Sequence, residues 1–464
     1  MTRRTAAKTL AAASAGPFFA FGQKPRRSLL FLCSDQHQTA ATGCYGSAEV
    51  HTPHIDRLAA DGVRFEGAYC QSPVCVPSRG SIISGLYPHH HGARILSDAL
   101  SEDVPTVADL FGGEGYRTAA IGKMHFVDET RRHGFDHRIH AADFNSRLTK
   151  AEQQAIRKDQ GGAGGTSGVR SELPLRLFRD TFYAEETIDF LRRNAKNPFC
   201  VWSSFYMPHT PLVPHGRYWD LYDPESLTLP ERTAKALESG FVGHLIRARE
   251  RGWYQQTDPE LRLALAGYYG NVSQMDANVG RVLDVMEELG LLDNTVVVYT
   301  SDHGEMAGAH RMWTKHNMYE QSVSVPLIVR MPEGLGRGTS RSELVEQVDL
   351  LPTLAELCGL DAPKCDGRSF AGLLRGERYQ PREFAFSQYD FCRNVFTRDD
   401  RYVGRPPILM VRTERYKLNY LSWERSELFD LEKDPGETRN AIDDPGLSGV
   451  VKELEAAALA VVNA

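Results

Sequence analysis

The stretch Cys75-Val76-Pro77-Ser78-Arg79 puts a nucleophile, a helix start and a cation within five residues. Pro77 suits the first helical position, where its missing N–H costs nothing. Ile82 and Ile83 give the following helix an apolar side, and Gly85 is placed to end it. Cys75 then sits at or just before a helix N-terminus. Unbonded N–H groups and the positive end of the helix dipole gather there and favour a tetrahedral oxyanion. Arg79, one turn further on, can point back at the same spot. A cysteine taken alone is more often a small core residue beside a cap, so the chemistry needs partners.

The partners come from the ends of apolar runs. Residues 28–33 (SLLFLC) read as a short buried strand that runs into Asp35-Gln36-His37, and residues 295–300 (TVVVYT) as the clearest strand, running into Asp302-His303. Acids just past the carboxyl ends of parallel strands can meet where open α/β sheets bind ligands; N-capping and loop solvation are the plain alternatives. A strand over 116–121 is followed by Gly122-Lys123-Met124-His125, where Lys123 and His125 share one face if the segment is extended. The run 199–205 ends at Pro208-His209-Thr210-Pro211, and Lys315 lies in the His-rich stretch after the 295–300 strand.

The elements that must carry these groups alternate between strands and helices. Helices are expected over 53–61, 104–112 and 182–194, with short strands over 63–65 and 324–330. Residues 259–290 carry apolar positions at Leu261, Leu265, Tyr268, Val272, Met275, Val279, Val282, Met286 and Leu289 in steps of four and three. That stripe reads as one long helix packed on the sheet, without a catalytic role. Residues 127–175, polar and glycine-rich, read as a mobile loop over the site or as an inert surface insertion. From about 361 the pattern changes to alternating segments near 384–389, 408–412 and 416–420, with a terminal helix near 450–462. This fits a small antiparallel sheet with a helix on it. The fold class is α/β, divided as residues 26–360 and 361–464.

With 464 residues the chain can bury a large core, and 41% apolar with 25% charged residues is ordinary for a globular protein. A net charge of −6 argues against nucleic-acid binding, and no apolar run reaches the length of a membrane span. Arg3-Arg4, Lys8 and the Ala-rich run after them look like a twin-arginine export signal over 1–25, which would place the mature chain in the periplasm or outside the cell; a disordered or helical tail is the plain alternative. Eight cysteines do not make a disulfide framework in so long a chain; Cys358 and Cys365 are near enough to bridge, and the sequence leaves their state open.

C-x-P-S-R followed by a short helix resembles the sulfatase signature, with Ile83-Ser84-Gly85 standing where that family usually has Leu-Thr-Gly. Gly122-Lys123-Met124-His125 resembles its second signature, with Met124 in place of the usual Trp. Pro208-His209-Thr210-Pro211 and the closing segment Leu428-Phe429-Asp430-Leu431 through Asp434-Pro435 and Glu437 also resemble that family, in the same order. The resemblance covers nearly all of the chain after residue 25. It implies the alkaline phosphatase-like fold, an α/β/α sandwich with a large mixed, mostly parallel sheet and a small C-terminal subdomain.

It further implies that Cys75 is oxidised to formylglycine by a maturation enzyme, and that the hydrate of this aldehyde attacks a sulfate ester. One divalent metal would be held by Asp35, Gln36, Asp302, His303 and an oxygen of the modified Cys75. Ca2+ is favoured and Mg2+ or Mn2+ stay open. Arg79, Lys123 and Lys315 would stabilise charge on the sulfuryl oxygens. His209 with Lys315 would protonate the leaving alcohol and His125 would take a proton, although the two histidines can exchange roles. Most sulfatases have Asp at position 36 and Asn at position 303. A His there resembles branches including choline sulfatases, iduronate sulfatases and phosphonate monoester hydrolases, which keeps a phosphonate or phosphate esterase as the rival; an inactive binding protein of the same fold is a second. The substrate expected is a sulfated carbohydrate, an expectation that comes from the compartment; His37, His89, His90, His91, His310, Arg311, Trp313 and His316 flank the expected site and would suit a sulfated sugar, an aryl sulfate or solvated loops alike. Tyr389, Asp390 and Arg393 stand as candidates for selectivity. Oligomeric state is not legible.

Overall fold

The computed structural model describes residues 26–128, 131–161, 165–391, 393 and 402–464. The proposed export segment, 1–25, lies outside the described residues. Strands β1 (Ser28–Asp35), β2 (Val63–Phe65), β3 (Ala68–Tyr69), β4 (Arg117–Gly122), β5 (His137–Ile139), β6 (Phe199–Pro208), β7 (Thr295–Ser301), β8 (Leu327–Arg330) and β9 (Thr339–Arg341) are followed by β10 (Val345–Glu346). Eight of them form one sheet in the order β5-β4-β6-β1-β7-β8-β2-β9, with β3 and β10 pairing separately. Only β8 runs antiparallel to its neighbours. The sheet is therefore mixed and mostly parallel, as the resemblance implies.

The alternation along β1 explains the layering. Leu29, Phe31 and Cys33 enter one core with Ile82, Ile83 and Leu354. Leu30 and Leu32 enter another with Ile188, Met275, Val279 and Met286. Side chains two apart share a face, so both faces of the sheet are buried under helices. Every residue of β1 is buried, as a central parallel strand requires.

The long helix runs Asp258–Glu288. Its buried set extends beyond the apolar stripe to Asn271, Gln274 and Asp276, and these hold loops. Asp276 accepts the backbone N–H groups of Ile55 at 2.8 Å and His54 at 3.2 Å, at the start of the helix Pro53–Ala60. Burial pushes its carboxyl up to about 7 against those bonds.

Residues 127–175 depart from the expected loop. They contain β5 and the helices Ala141–Ser146 and Lys150–Gly161. None of the residues of Lys150–Gly161 is buried, so it has no apolar stripe to show in the sequence. The C-terminal sheet is antiparallel, β11 (Ala385–Tyr389), β12 (Ile408–Arg412), β13 (Tyr416–Tyr420) and β14 (Glu427–Asp430) in that order. The helix Ser448–Val462 covers it through Leu454 and Ala458. Cys358 and Cys365 are both free thiols, so the bridge that their spacing permits is not formed. Among the described residues no helix is long and apolar enough to cross a membrane.

Candidate active site

Strand register brings the first two acids together. Ser34 pairs with Ser301 in adjacent parallel strands, so Asp35 and Asp302, next along each chain, leave the sheet side by side. β4 ends with Gly122 paired to Ser204 of β6, level with Cys33 of β1, which delivers Lys123 to the same edge. Gly122 has φ +101°, and a Cβ there would lie 1.8 Å from the Ser204 carbonyl oxygen. Only glycine fits this crossing.

The helix Cys75–Ser84 begins at Cys75 itself, after an extended Val74, and ends at Gly85 with φ +68°. Pro77 is thus third rather than first in the helix. Any position in the first turn tolerates it, because those N–H groups have no partner inside the helix. All ten residues of this helix are buried. Ser78 donates to the Asp302 carbonyl at 2.5 Å, fixing the helix start against the end of β7.

Arg79 is fully buried and spans both acids. Its Nε donates to Asp302 Oδ2 at 2.8 Å and its Nη2 reaches Asp35 Oδ2 at 3.4 Å. Ser204 Oγ and the Lys123 carbonyl accept from its Nη1. The guanidinium therefore serves the carboxylates rather than facing Cys75. Lys123 forms an ion pair with Asp35 Oδ2 and has its Nζ 3.9 Å from Cys75 Sγ.

One donor atom each from Asp35, Cys75, Asp302 and His303 lie within 4.8 Å of one another, all buried. His303 Nε2 is 3.2 Å from Cys75 Sγ, and its Nδ1 meets the Gly304 carbonyl at 3.0 Å. A carbonyl only accepts, so Nδ1 carries the hydrogen and Nε2 keeps its lone pair for a ligand. Gln36 is held differently. Lys315 Nζ donates to its Oε1 at 2.5 Å, and its Nε2 donates to Glu305 Oε2. An ammonium only donates and a carboxylate only accepts, which fixes the amide orientation. Gln36 has φ 66°, a left-handed backbone uncommon outside glycine.

The charges shift one another. Burial and the Asp35 carboxylate oppose ionisation of Cys75, yet Lys123, Lys315 and His303 outweigh them and hold its thiol well below the usual value. Burial also works against Asp35, but Lys123, Lys315 and Arg79 keep it ionised far below the carboxylate range. Burial raises Asp302 despite Arg79. Burial and the nearby Lys315 push His209 down to about 3. Its Nδ1 donates to the Thr210 carbonyl at 2.8 Å, which leaves Nε2 as an acceptor.

Cys75 forms part of the wall of a cavity of about 440 Å3, with His125, His209, Lys315 and His316. His125, with φ 57°, reaches the cavity from beyond the end of β4 rather than by strand alternation. Gly165 and Thr166 are the part of the 127–175 region that lines it. The far wall carries residues that sequence reasoning missed. Arg247 donates to the Lys315 carbonyl at 2.7 Å and to Thr314 Oγ1 at 3.0 Å, and its guanidinium lies 5.3 Å from the Trp253 ring. The motif ArgAlaArgGluArgGlyTrp over 247–253 is the only trace of this wall in the sequence. Of the eight basic and aromatic residues expected to flank the site, His316 alone is among the described lining residues. His37 bonds Tyr299 and Ala41, His310 stacks on Tyr319, and Trp313 donates to Gln256. Asp390 and Arg393 form ion pairs with Arg94 and Asp98, away from the described lining.

A family model described as Sulfatase matches residues 27–360, and one described as N-sulphoglucosamine sulphohydrolase, C-terminal, matches 308–463. Choline-sulfatase of Rhizobium meliloti is 31% identical over 420 residues, covering 85% of this chain and 78% of its own length. N-acetylglucosamine-6-O-sulfatase of Bacteroides thetaiotaomicron is 26% identical, covering 92% of this chain and 85% of its own. The crystal structure of phosphonate monoester hydrolase of Agrobacterium radiobacter superposes with a TM-score of 0.85 at 24% identity, over 94% of this chain and 95% of that one, a likeness of fold. The chain belongs to the type I sulfatase family, within the alkaline phosphatase superfamily.

Proposed function

We propose that this enzyme hydrolyses sulfate monoesters of a carbohydrate through a formylglycine hydrate at position 75. One observation carries the reading: Cys75 starts a buried helix on the wall of the cavity, with Lys123, His303 and Asp35 around its sulfur. A plain thiol there would form a thioester of sulfuric acid that water must cleave at sulfur. A geminal diol can instead eject sulfate by collapsing to the aldehyde.

The donor set fits a divalent metal, since two buried carboxylates and a lone pair on His303 Nε2 face the same point as Cys75. Asp35, Asp302, His303 and the modified residue 75 would hold it, with Gln36 adjacent. Oxygen donors favour Ca2+. When bound, the metal supplies Lewis-acid polarisation of sulfuryl oxygens and lowers the pKa of a hydroxyl at position 75.

The chain's own residues do the rest. One hydroxyl at position 75 attacks sulfur in line with the departing alcohol. Lys123 and Lys315 offset charge on the sulfuryl oxygens, and Arg79 keeps both acids in place. His209, whose Nδ1 is engaged by the Thr210 carbonyl and whose Nε2 is left as an acceptor, is placed to take a proton from the second hydroxyl, with the Lys315 ammonium to protonate the alcohol. His125 shares the cavity, and the two histidines can exchange these parts. The division at residues 26–360 and 361–464 and an export signal over 1–25 belong to the same proposal, with the enzyme outside the cytoplasm.

His303 in the ligand set supports a second reading, phosphonate or phosphate ester hydrolysis through the same diol. The test is a peptide mass spectrum across residues 71–79, from protein made with a maturation enzyme, together with turnover of sulfate and phosphonate esters. Formylglycine lowers the peptide mass by roughly 18 Da. That shift with faster sulfate-ester turnover is expected. An intact thiol in an active enzyme would overturn the mechanism, and preference for the phosphonate ester would overturn the substrate class.

A further inference from the structure

Tyr206 lies near the end of β6, three residues before His209. Its ring is the shared neighbour of two groups assigned to the reaction. Lys123 Nζ is 4.6 Å from the ring centroid, and the His209 ring is 5.0 Å away, tilted by 56°. The Arg179 guanidinium carbon lies 4.8 Å from the same centroid. An aromatic ring carries negative charge on its faces, so it draws cations to fixed places without neutralising them.

The backbone beneath this ring is clamped at both ends. Asp180, 2% exposed, accepts the N–H of Tyr206 at 2.8 Å and of Met207 at 2.7 Å. Asn271 of the long helix donates to the Pro211 carbonyl at 3.1 Å. The segment from Tyr206 to Pro211 is thus pinned to two helices, with His209 between the pins. Burial pushes the Asp180 carboxyl up to about 6 even against its two backbone bonds, a cost accepted at a place where a neutral side chain would hold the loop less firmly.

Lys123 needs such a support. Its chain has four rotatable bonds, and an ion pair with one oxygen of Asp35 and a long hydrogen bond to Cys75 Sγ hold the ammonium from one side only. A ring beside the ammonium restricts it further. We propose that Tyr206 is a positioning residue whose ring holds Lys123 and His209 in a fixed relation at Cys75. The inference rests on the reading that Lys123 and His209 act on the bound ester; the ring itself touches no reacting atom.

The experiment compares Tyr206→Phe and Tyr206→Leu with the parent, all carrying formylglycine, on 4-nitrophenyl sulfate and on a 4-nitrophenyl phosphonate ester. The parent's preference between the two esters tests the reading above, independently of any variant. On whichever ester is turned over, Tyr206→Phe should keep kcat within about threefold, and Tyr206→Leu should lose about 10- to 100-fold in kcat with a smaller change in KM. Thermal unfolding of each variant separates this from a packing role, which would lower Tm while sparing kcat in the folded fraction. Inorganic sulfate binding, followed by calorimetry, gives a readout that needs no turnover: Tyr206→Leu should weaken it about tenfold and Tyr206→Phe should not. Parental kcat and sulfate affinity in Tyr206→Leu, or equal losses in Phe and Leu, would overturn the proposal.

Discussion

Asp35 and Asp302 are neighbours because Ser34 and Ser301 share a rung of the sheet, and Arg79 closes the pair with one guanidinium. Two buried carboxylates this close repel each other unless cations hold them. The pair is therefore a structural joint and, in the proposed function, the core of the metal site.

Replacing Asp302 by Ala removes one proposed ligand and leaves Arg79 with a single, more distant carboxylate. Metal content by mass spectrometry should fall from about one per chain to near zero. Stability should fall by about 3 kcal/mol in urea unfolding. Chelation of the parent should lower its Tm, and Ca2+ should restore it, because a ligand bound only by the native state stabilises that state. Unchanged metal content in Asp302→Ala would remove Asp302 from the ligand set.

Lys315 binds Gln36 through one N–H and faces the cavity. In Lys315→Ala, kcat should drop by about 10²- to 10³-fold, with KM moving less. The loss should grow as the leaving alcohol becomes more basic, since such alcohols need the proton most. A loss independent of the leaving group would assign Lys315 to the sulfuryl oxygens alone.

A methyl group at Gly122 cannot coexist with the Ser204 carbonyl. Gly122→Ala should cost about 3 kcal/mol or more, by strain at a positive φ and by displacement of β4 from β6. Any folded fraction should have low activity, because Lys123 is the next residue. Parental Tm in Gly122→Ala would show that the strands separate at little cost.

Asp276 gives a pH test remote from the site. Its carboxyl titrates near 7 in the fold, against 3.8 ordinarily, because burial favours the neutral form. The fold therefore binds this proton more tightly than the unfolded chain does. The stability that the group contributes is full below about pH 4, declines through pH 7, and is constant above it. Asp276→Asn lacks this term, so its stability relative to the parent should improve as pH rises from 5 to 8. A difference independent of pH would mean that Asp276 is ionised in the fold.

What the sequence displayed was local. Residues 28–33 and 295–300 are continuous apolar runs, so their carboxyl ends and the acids beyond them could be marked without a structure. The helix start at Cys75 was legible from Pro77 and Gly85 to within two residues. The clasp of Lys315, Gln36 and Glu305 was not, because it joins three loops whose meeting depends on how β1 and β7 are paired. The Arg247–Trp253 wall was missed for the same reason. Residues 127–175 were misread because no residue of Lys150–Gly161 is fully buried and Ile156 is its one hydrophobic side chain packed against the core, and one apolar position sets no period in the sequence. Histidines such as His37 and His310 looked like site residues by position and proved to be internal packing.

The helix Cys75–Ser84 has no exposed residue. If residue 75 is converted to formylglycine as proposed, an enzyme that takes it as an extended segment would have to reach it before this helix packs. Conversion would then be a race between collapse of the newborn chain and the arrival of the modifying enzyme, and chains that close first would keep their thiol. Two populations, alike in shape and unlike in chemistry, would result whenever synthesis outran modification, and specific activity would then report the growth history of the cell that made the protein.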